Sequence, residues 1–310
     1  MKFFVVRLLC LLPLLSGCGG TGSAPSEGLP VIPGKLITEE FMLPAEFKNA
    51  DGSTYVAHLD TLVIRPDDGK PHPLAVISHG TSVGDHAHIY TDESQAQTIE
   101  FARRGWTAVT FTRRGFGRSE GEYDETARKC DHDEYTRVDS RGGQDIREVI
   151  RLMSQKPYVD ASTVIAVGVS GGGGATIALT AEPPPGGLKA AIAFAPGFSR
   201  TVVCRQDFEN HTLGLFGRAS RTPMLWVYAQ NDRVVPEDEI RRDFRIFNKV
   251  GGKAEFLYVP SFQNDGHDLF SREGIGIWTR YVDDFLAKQG LKQTDGLIAA
   301  DDVYNRVPNR

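Results

Sequence analysis

The stretch VIAVGVSGGGGATIALT, Val164 to Thr180, constrains this chain more than any other. Its β-branched apolar run predicts a strand. The run breaks at one serine set among glycines, and small apolar residues then continue as a helix. Strand, glycine turn and helix together serve two different chemistries. Either the helix N-terminus cradles a phosphate, or Ser170 is a nucleophile raised on a sharp bend. Spacing decides between them. A P-loop ends in Gly-Lys-Ser/Thr, and no lysine follows this turn until Lys189. A dinucleotide fingerprint needs glycine at its first, third and sixth positions. Counted from Gly168 the third is Ser170, and counted from Gly171 the sixth is Thr176. The segment Gly168-Val169-Ser170-Gly171-Gly172 has instead the form Gly-x-Ser-x-Gly, directly after a strand and before a helix. Gly168 and Gly172 make room for a strained serine, and the Gly171 amide at the helix start points where an oxyanion would develop.

The rest of the chain repeats the same grammar. Strand-like runs are STYVAHLDTLVIRP, PLAVISHG, WTAVTFTRRG, TVIAVGVS, LKAAIAFAPG, PMLWVYAQND and AEFLYVPS. The later ones are almost continuously apolar, as strands buried on both faces of a parallel sheet must be. Helical patterns separate them: DESQAQTIEFARRG, GGQDIREVIRLMSQ, PEDEIRRDFRIFNKVGG and GIWTRYVDDFLAKQG. This alternation implies one α/β domain over residues 39–290, with a doubly wound, mostly parallel sheet, helices on both faces and a short cap segment. Residues 291–310 read as a polar tail. With 40% hydrophobic and 24% charged residues and a net charge of -5, the chain shows no basic surface for nucleic acid.

The first residues are processing signals rather than fold. FFVVRLLCLLPLL is apolar but too short to span a bilayer. It leads into Leu15-Ser16-Gly17-Cys18, which resembles the bacterial lipobox. Residues 1–17 are then a lipoprotein signal peptide, Cys18 is the lipidated residue, and 18–38 is a flexible tether holding the domain to a membrane. An ordinary secretory signal is the other reading, and both export the protein. Cys10 leaves with the signal, so only Cys130 and Cys204 remain to pair. A bridge between them in an oxidising compartment is worth roughly 4 kcal/mol in the chain-entropy model. Two buried thiols are the alternative.

A nucleophilic serine needs a base and an orienting acid. YAQNDRVVP places Asp232 just past a buried strand, and NDGHDLF places His267 in the loop after the next. The order Ser170, Asp232, His267 is that of α/β-hydrolases, with each residue at a strand's C-terminal end. AVISHGTSVG puts His79-Gly80 at the end of the third strand, so the Thr81 backbone N–H becomes the second oxyanion donor beside that of Gly171. The set ISHGTS, FARRGW, RRGFGRSEG, KPYVD, GVSGGGG, FAPG, YAQNDR and DGHDLF resembles an exported, dienelactone-hydrolase-like branch of the α/β-hydrolase superfamily, related to prolyl-oligopeptidase-type catalytic domains. The resemblance covers residues 40 to 288 and implies the Ser170–His267–Asp232 triad without a cofactor. Dienelactone hydrolases use cysteine as nucleophile, so their substrate does not transfer. Prolyl-oligopeptidases carry a β-propeller, and no segment here is long enough for one.

Three further features have competing readings. Asp85, His86, His88 and Asp131, His132, Asp133 are metal-type residues, but they read as solvated loops and no metal is expected. Arg113, Arg114 and Arg118 read as part of a glycine turn ahead of an anion site. About 25 residues separate FAPG from the next strand, enough for one helix carrying Phe208, Leu213, Leu215 and Phe216 but not for a broad lipase lid. The expected activity is cleavage of small esters by acyl-enzyme chemistry. A prolyl-oligopeptidase-type peptidase and a non-catalytic binding module on the same fold are the alternatives.

Overall fold

The apolar runs become the interior of one eight-stranded sheet in a computed structural model of the chain. The structure describes residues 29–304 apart from 50, 82–83, 184, 199–204 and 292–293. The strands are β1 (Leu36–Lys48), β2 (Thr54–Pro66), β3 (His72–Ser78), β4 (Thr107–Phe111), β5 (Val159–Val169), β6 (Leu188–Phe194), β7 (Met224–Ala229) and β8 (Ala254–Val259). Their spatial order is β1-β2-β4-β3-β5-β6-β7-β8. The first two pairings in that order are antiparallel and the others parallel. The helices are α1 (Gln95–Arg103), α2 (His132–Met153), α3 (Gly171–Ala181), α4 (Arg205–Ala219), α5 (Glu237–Lys249), α6 (Ile275–Lys288) and α7 (Asp301–Tyr304).

Both faces of the sheet are covered, as its apolar strands require. Phe101 of α1 and Trp278 and Phe285 of α6 bury one face against Ile77, Ile165 and Val227. Ile146 and Val149 of α2 and Ala175 and Leu179 of α3 cover the other, against Val76 and Ala166. The core extends along that second face through Leu213 and Phe216 of α4 and Phe247 of α5 around Trp226. The expected α/β-hydrolase architecture is therefore the one found. The helix expected between β6 and β7 forms as α4, but its apolar side joins the core layer instead of overhanging as a cap. Among the described residues no helix is long and apolar enough to cross a membrane.

The domain boundaries move outward from their expected places. Residues 31–38, assigned to the tether, already belong to the fold. Val31–Ile32 pair in parallel with Leu297–Ile298, and β1 begins at Leu36. β1 alternates exposed and buried positions on an open edge and carries Pro44, which an edge strand tolerates. The described part of the polar tail, up to Tyr304, is also docked. Ile298, Ala300 and Val303 are buried, and Tyr304 Oη donates to Glu100 Oε1 at 2.5 Å. The ends hold each other, so neither boundary shows in composition. α2 likewise starts ten residues earlier than its apolar face suggests. Asp131 caps it by accepting from the Glu134 amide at 3.0 Å. Gly142 and Gly143 lie inside it because a Cβ at either would meet α3 at 2.6 or 2.8 Å. Cys18 and Cys204 lie outside the described residues, and Cys130 is in the loop ahead of α2.

The end of β3 is fixed by a buried histidine and a buried arginine. The His79 Nε2 accepts from the Arg113 amide at 3.0 Å, and its Nδ1 therefore donates to the Gly80 carbonyl at 2.5 Å. Burial first, and the Arg113 charge second, hold this imidazole well below the usual histidine range. Its folded-state pKa lies below the unfolded 6.5. The unfolded chain therefore binds the extra proton, and stability from this group is present above pH 6.5 and lost as pH falls below it. The His79 ring should show neutral-imidazole NMR shifts at pH 6.5 and just below, where a free imidazole takes up its proton. A His79 midpoint near 6.5 would contradict this packing.

Candidate active site

The site forms where β3, β5, β7 and β8 end. Ser170 follows β5 with φ 53° and ψ -122°, a left-handed conformation that costs a non-glycine residue about 1–3 kcal/mol. Its surroundings hold that strain in place. The Ser170 amide donates to the Phe194 carbonyl at 2.9 Å, and its own carbonyl accepts from Gly197 and Gly174 amides at 2.9 and 3.1 Å. The flanking glycines are dictated by backbone proximity. A Cβ on Gly168 would lie 2.1 Å from the Gly172 carbonyl oxygen, and one on Gly172 would lie 2.3 Å from the carbonyl oxygens of both Ser78 and His79. A Cβ on Gly174 would lie 2.2 Å from the Gly197 carbonyl oxygen, and one on Gly173 2.9 Å from the Pro196 Cα.

The loop after β3 touches this turn directly. A Cβ on Gly171 would lie 2.2 Å from Thr81 Oγ1 and 3.5 Å from the Thr81 amide nitrogen. The two amides expected to receive an oxyanion are thus neighbours, with the Gly171 amide in the first turn of α3. Arg113 sets the loop's position. It donates to the His79 carbonyl at 2.6 Å, Ser78 Oγ at 3.0 Å and Thr81 Oγ1 at 3.0 Å, and forms a two-pronged pair with Glu125 at 2.6 and 2.9 Å. Arg113 is fully buried, so it binds no external anion. Arg114 is paired with Asp145 at 2.6 Å, and burial raises that carboxyl despite the pairing. Arg118 pairs with Asp60.

Asp232 and His267 meet as their strand positions imply. His267 Nδ1 lies 3.1 and 3.2 Å from the two Asp232 oxygens. Asp232 Oδ1 also accepts from the Val234 and Val235 amides, both at 2.9 Å. Burial alone would raise the Asp232 carboxyl. The bonds from His267 and from those two amides outweigh it and hold the group below the ordinary range. A carboxylate at Nδ1 fixes the imidazole tautomer and leaves Nε2 to handle protons. Ser170 and His267 line one cavity of about 820 Å³. Among the described residues no hydrogen bond joins them, and such catalytic pairs commonly tighten only around substrate.

Several positioning residues had no readable signature. Asp265 Oδ1 accepts from the His267 amide at 2.9 Å and the Arg233 amide at 3.0 Å, tying the two loops together. Asn231 Oδ1 accepts from the Phe262 amide at 2.8 Å. The Asn-Asp and Asp-Gly-His sequences hint at tight turns, but not at which loop they bind. The two metal-type clusters pack separately: His86 stacks on Tyr123, and His132 lies against Phe208 and His211. Among the described residues no group of three or more His, Cys, Asp or Glu side chains is placed to hold a metal ion.

Among curated proteins none matches the sequence. A CIB-like hydrolase from Thermoplasma acidophilum superposes with a TM-score of 0.54 at 16% identity, over 82% of this chain and 100% of its own. Esterase 2 from Thermogutta terrifontis, in a structure phosphoramylated by tabun, gives 0.58 at 19% identity, over 82% and 96%. A putative dienelactone hydrolase from Klebsiella pneumoniae gives 0.55 at 16%, over 81% and 98%. These likenesses establish the fold. The sequence itself matches the X-Pro dipeptidyl-peptidase (S15 family) across residues 51–208, a span that includes the Ser170 turn and stops before Asp232. With half its length in that match and an α/β-hydrolase fold around the serine turn, the chain belongs to the X-Pro dipeptidyl-peptidase (S15) family of serine hydrolases.

Proposed function

We propose that the protein is an exported serine hydrolase that cleaves small carboxylic esters through an acyl-enzyme. One observation carries this reading. The strained Ser170 turn, Thr81 and the imidazole of the hydrogen-bonded Asp232–His267 pair line one cavity, with the Gly171 amide beside Thr81. Ser170 Oγ attacks the ester carbonyl carbon while His267 Nε2 takes the hydroxyl proton. The Thr81 and Gly171 amides stabilise the oxyanion. The carbon–oxygen bond to the alcohol then breaks, and His267 returns the proton to the departing oxygen. Water, deprotonated by the same imidazole, releases the acid and restores Ser170. Asp232 holds the tautomer and stabilises the imidazolium throughout.

The esterase and dienelactone hydrolase neighbours support ester cleavage. The family match supports a second reading, cleavage of a peptide bond after proline, and parallel turnover of a short ester and an X-Pro amide separates the two. Ser170→Ala and His267→Ala should each lower ester kcat by about 10⁴ to 10⁶, and the double variant should be little worse because the residues act as one unit. Additive losses would show that they are not partners. Asp232→Asn should cost about 10⁴. Asp238→Asn should cost far less, and the reverse ranking would displace Asp232 as the acid.

The same proposal includes a lipid anchor at Cys18, supported by the lipobox resemblance of Leu15-Ser16-Gly17-Cys18. In a bacterial host Cys18→Ser should move the protein from the membrane fraction to the soluble exported fraction with esterase activity intact. Unchanged membrane retention would remove the anchor from the proposal.

A further inference from the structure

Among the described residues, two cavities reach Ser170. The first, of about 820 Å³, is lined by His267, Phe270, Gln97, Tyr90 and the acidic residues discussed below. The second, of about 370 Å³, lies on the other side and is lined by Val138, Ala175, Phe198, Val234, Gly142 and Gly174 among others. Of the residues lining them, only Thr81 and Ser170 are shared.

Stereochemistry distributes a substrate between them. The tetrahedral carbon on Ser170 Oγ carries three other groups: the oxyanion, the leaving group and the acyl substituent. The oxyanion is directed to the Thr81 and Gly171 amides. The leaving atom must lie beside His267, which protonates it. His267 lines only the larger cavity, so the leaving group occupies that side and the acyl substituent takes the smaller one. Its walls are mostly apolar. Its carboxylates are Glu125, paired with Arg113, and Asp139, buried in the wall, and Gly142 and Gly174 bring backbone close in place of side chains.

The larger cavity is chemically different. Asp92, Glu93, Asp268 and Glu273 line it against one arginine, Arg272, whose guanidinium lies 5.6 Å from the Tyr304 ring. His79 is neutral. Burial first, and then repulsion from Asp92 and Asp85, raise the Glu93 carboxyl, so these groups sense one another. At the cavity's inner side Gln97 is 95% buried. Its Nε2 donates to the Phe270 carbonyl at 2.7 Å, while its Oε1 has no hydrogen-bond partner. A cleft lined by one sign of charge concentrates ligands of the other sign.

We propose that the enzyme is selective on both sides of the scissile bond, taking a short neutral acyl group in the smaller cavity and a cationic, hydrogen-bond-donating leaving group in the larger. This assignment rests on the Ser170 acyl-enzyme reading above. The test is a matrix of acetyl, butyryl and octanoyl esters, each with a cationic amino alcohol, a neutral alcohol or a carboxylate-bearing hydroxy acid as leaving group, hydrolysed by the full chain. For a given acyl group kcat/KM should fall from cationic to neutral to anionic. The extremes should differ by at least about tenfold at low salt and draw together near about 0.5 M salt. Glu93→Gln with Glu273→Gln should narrow that spread and leave the acyl-length profile as it was. Thr126→Trp, at the exposed rim of the smaller cavity, should depress butyryl relative to acetyl esters with every leaving group. Phe198→Ala should extend tolerance toward octanoyl. Equal rates for cationic and anionic leaving groups overturn the charge assignment. An acyl-length profile that follows Glu93 and Glu273 instead of Thr126 reverses the cavities. Both results leave the acyl-enzyme reading standing, whereas no Ser170-dependent hydrolysis anywhere in the matrix overturns both.

Discussion

The first turn of α3 lies so close to the end of β3 that the site depends on a contact between two backbones. Gly172 abuts the carbonyls of Ser78 and His79, and Gly168 abuts the Gly172 carbonyl. Side chains on either would push α3 off the sheet. Once that approach is allowed, Ser170 is forced into its left-handed conformation, the Gly171 amide faces the β3 loop, and Thr81 comes within reach of it. The packing of α3 on α2 through Gly142 and Gly143 is the same device one layer further out. Close approach here is a condition of the chemistry as well as of the fold.

Polar groups at the end of β3 then convert proximity into fixed geometry. Arg113 is buried with its donors shared among the His79 carbonyl, Ser78, Thr81 and Glu125. Removing one partner of such a buried, hydrogen-bonded pair costs about 3–5 kcal/mol, because the other charge is stranded. His79 completes the arrangement by staying neutral, so that one ring nitrogen can accept while the other donates. Across the cleft, Asp265 and the amides after Asp232 do the corresponding work for the acid and base. The catalytic candidates are thus held by neighbours that never touch substrate.

The sequence disclosed the proposed reacting groups better than their supports. Ser170, Asp232 and His267 sit at strand ends, so one local pattern and the order of three positions were enough to bring them together. Thr81 was legible because His79-Gly80 closes an apolar run. Arg113 gave no such sign, since its partners are dispersed from Ser78 to Glu125 and an RRG turn reads equally well as exposed. The edge strand β1 alternates half-exposed residues around Pro44, and its pairing with β2 is visible only across the hairpin. Residues 291–310 look polar taken together, yet they contain the apolar run Leu297 to Ala300, and Ile298, Ala300 and Val303 are buried. Glu100 and Arg103 secure that docking from α1, about two hundred residues away in the chain.

In the proposed chemistry Ser170 Oγ becomes covalently bonded to substrate with the oxyanion between two backbone amides. The structure of the protein after reaction with a small alkyl fluorophosphonate tests this directly. It should show a phosphorus atom bonded to Ser170 Oγ, a phosphoryl oxygen within about 3 Å of both the Thr81 and Gly171 nitrogens, and the alkyl group in the smaller cavity. Phosphorus on any other residue, or a phosphoryl oxygen that contacts neither amide, would contradict it.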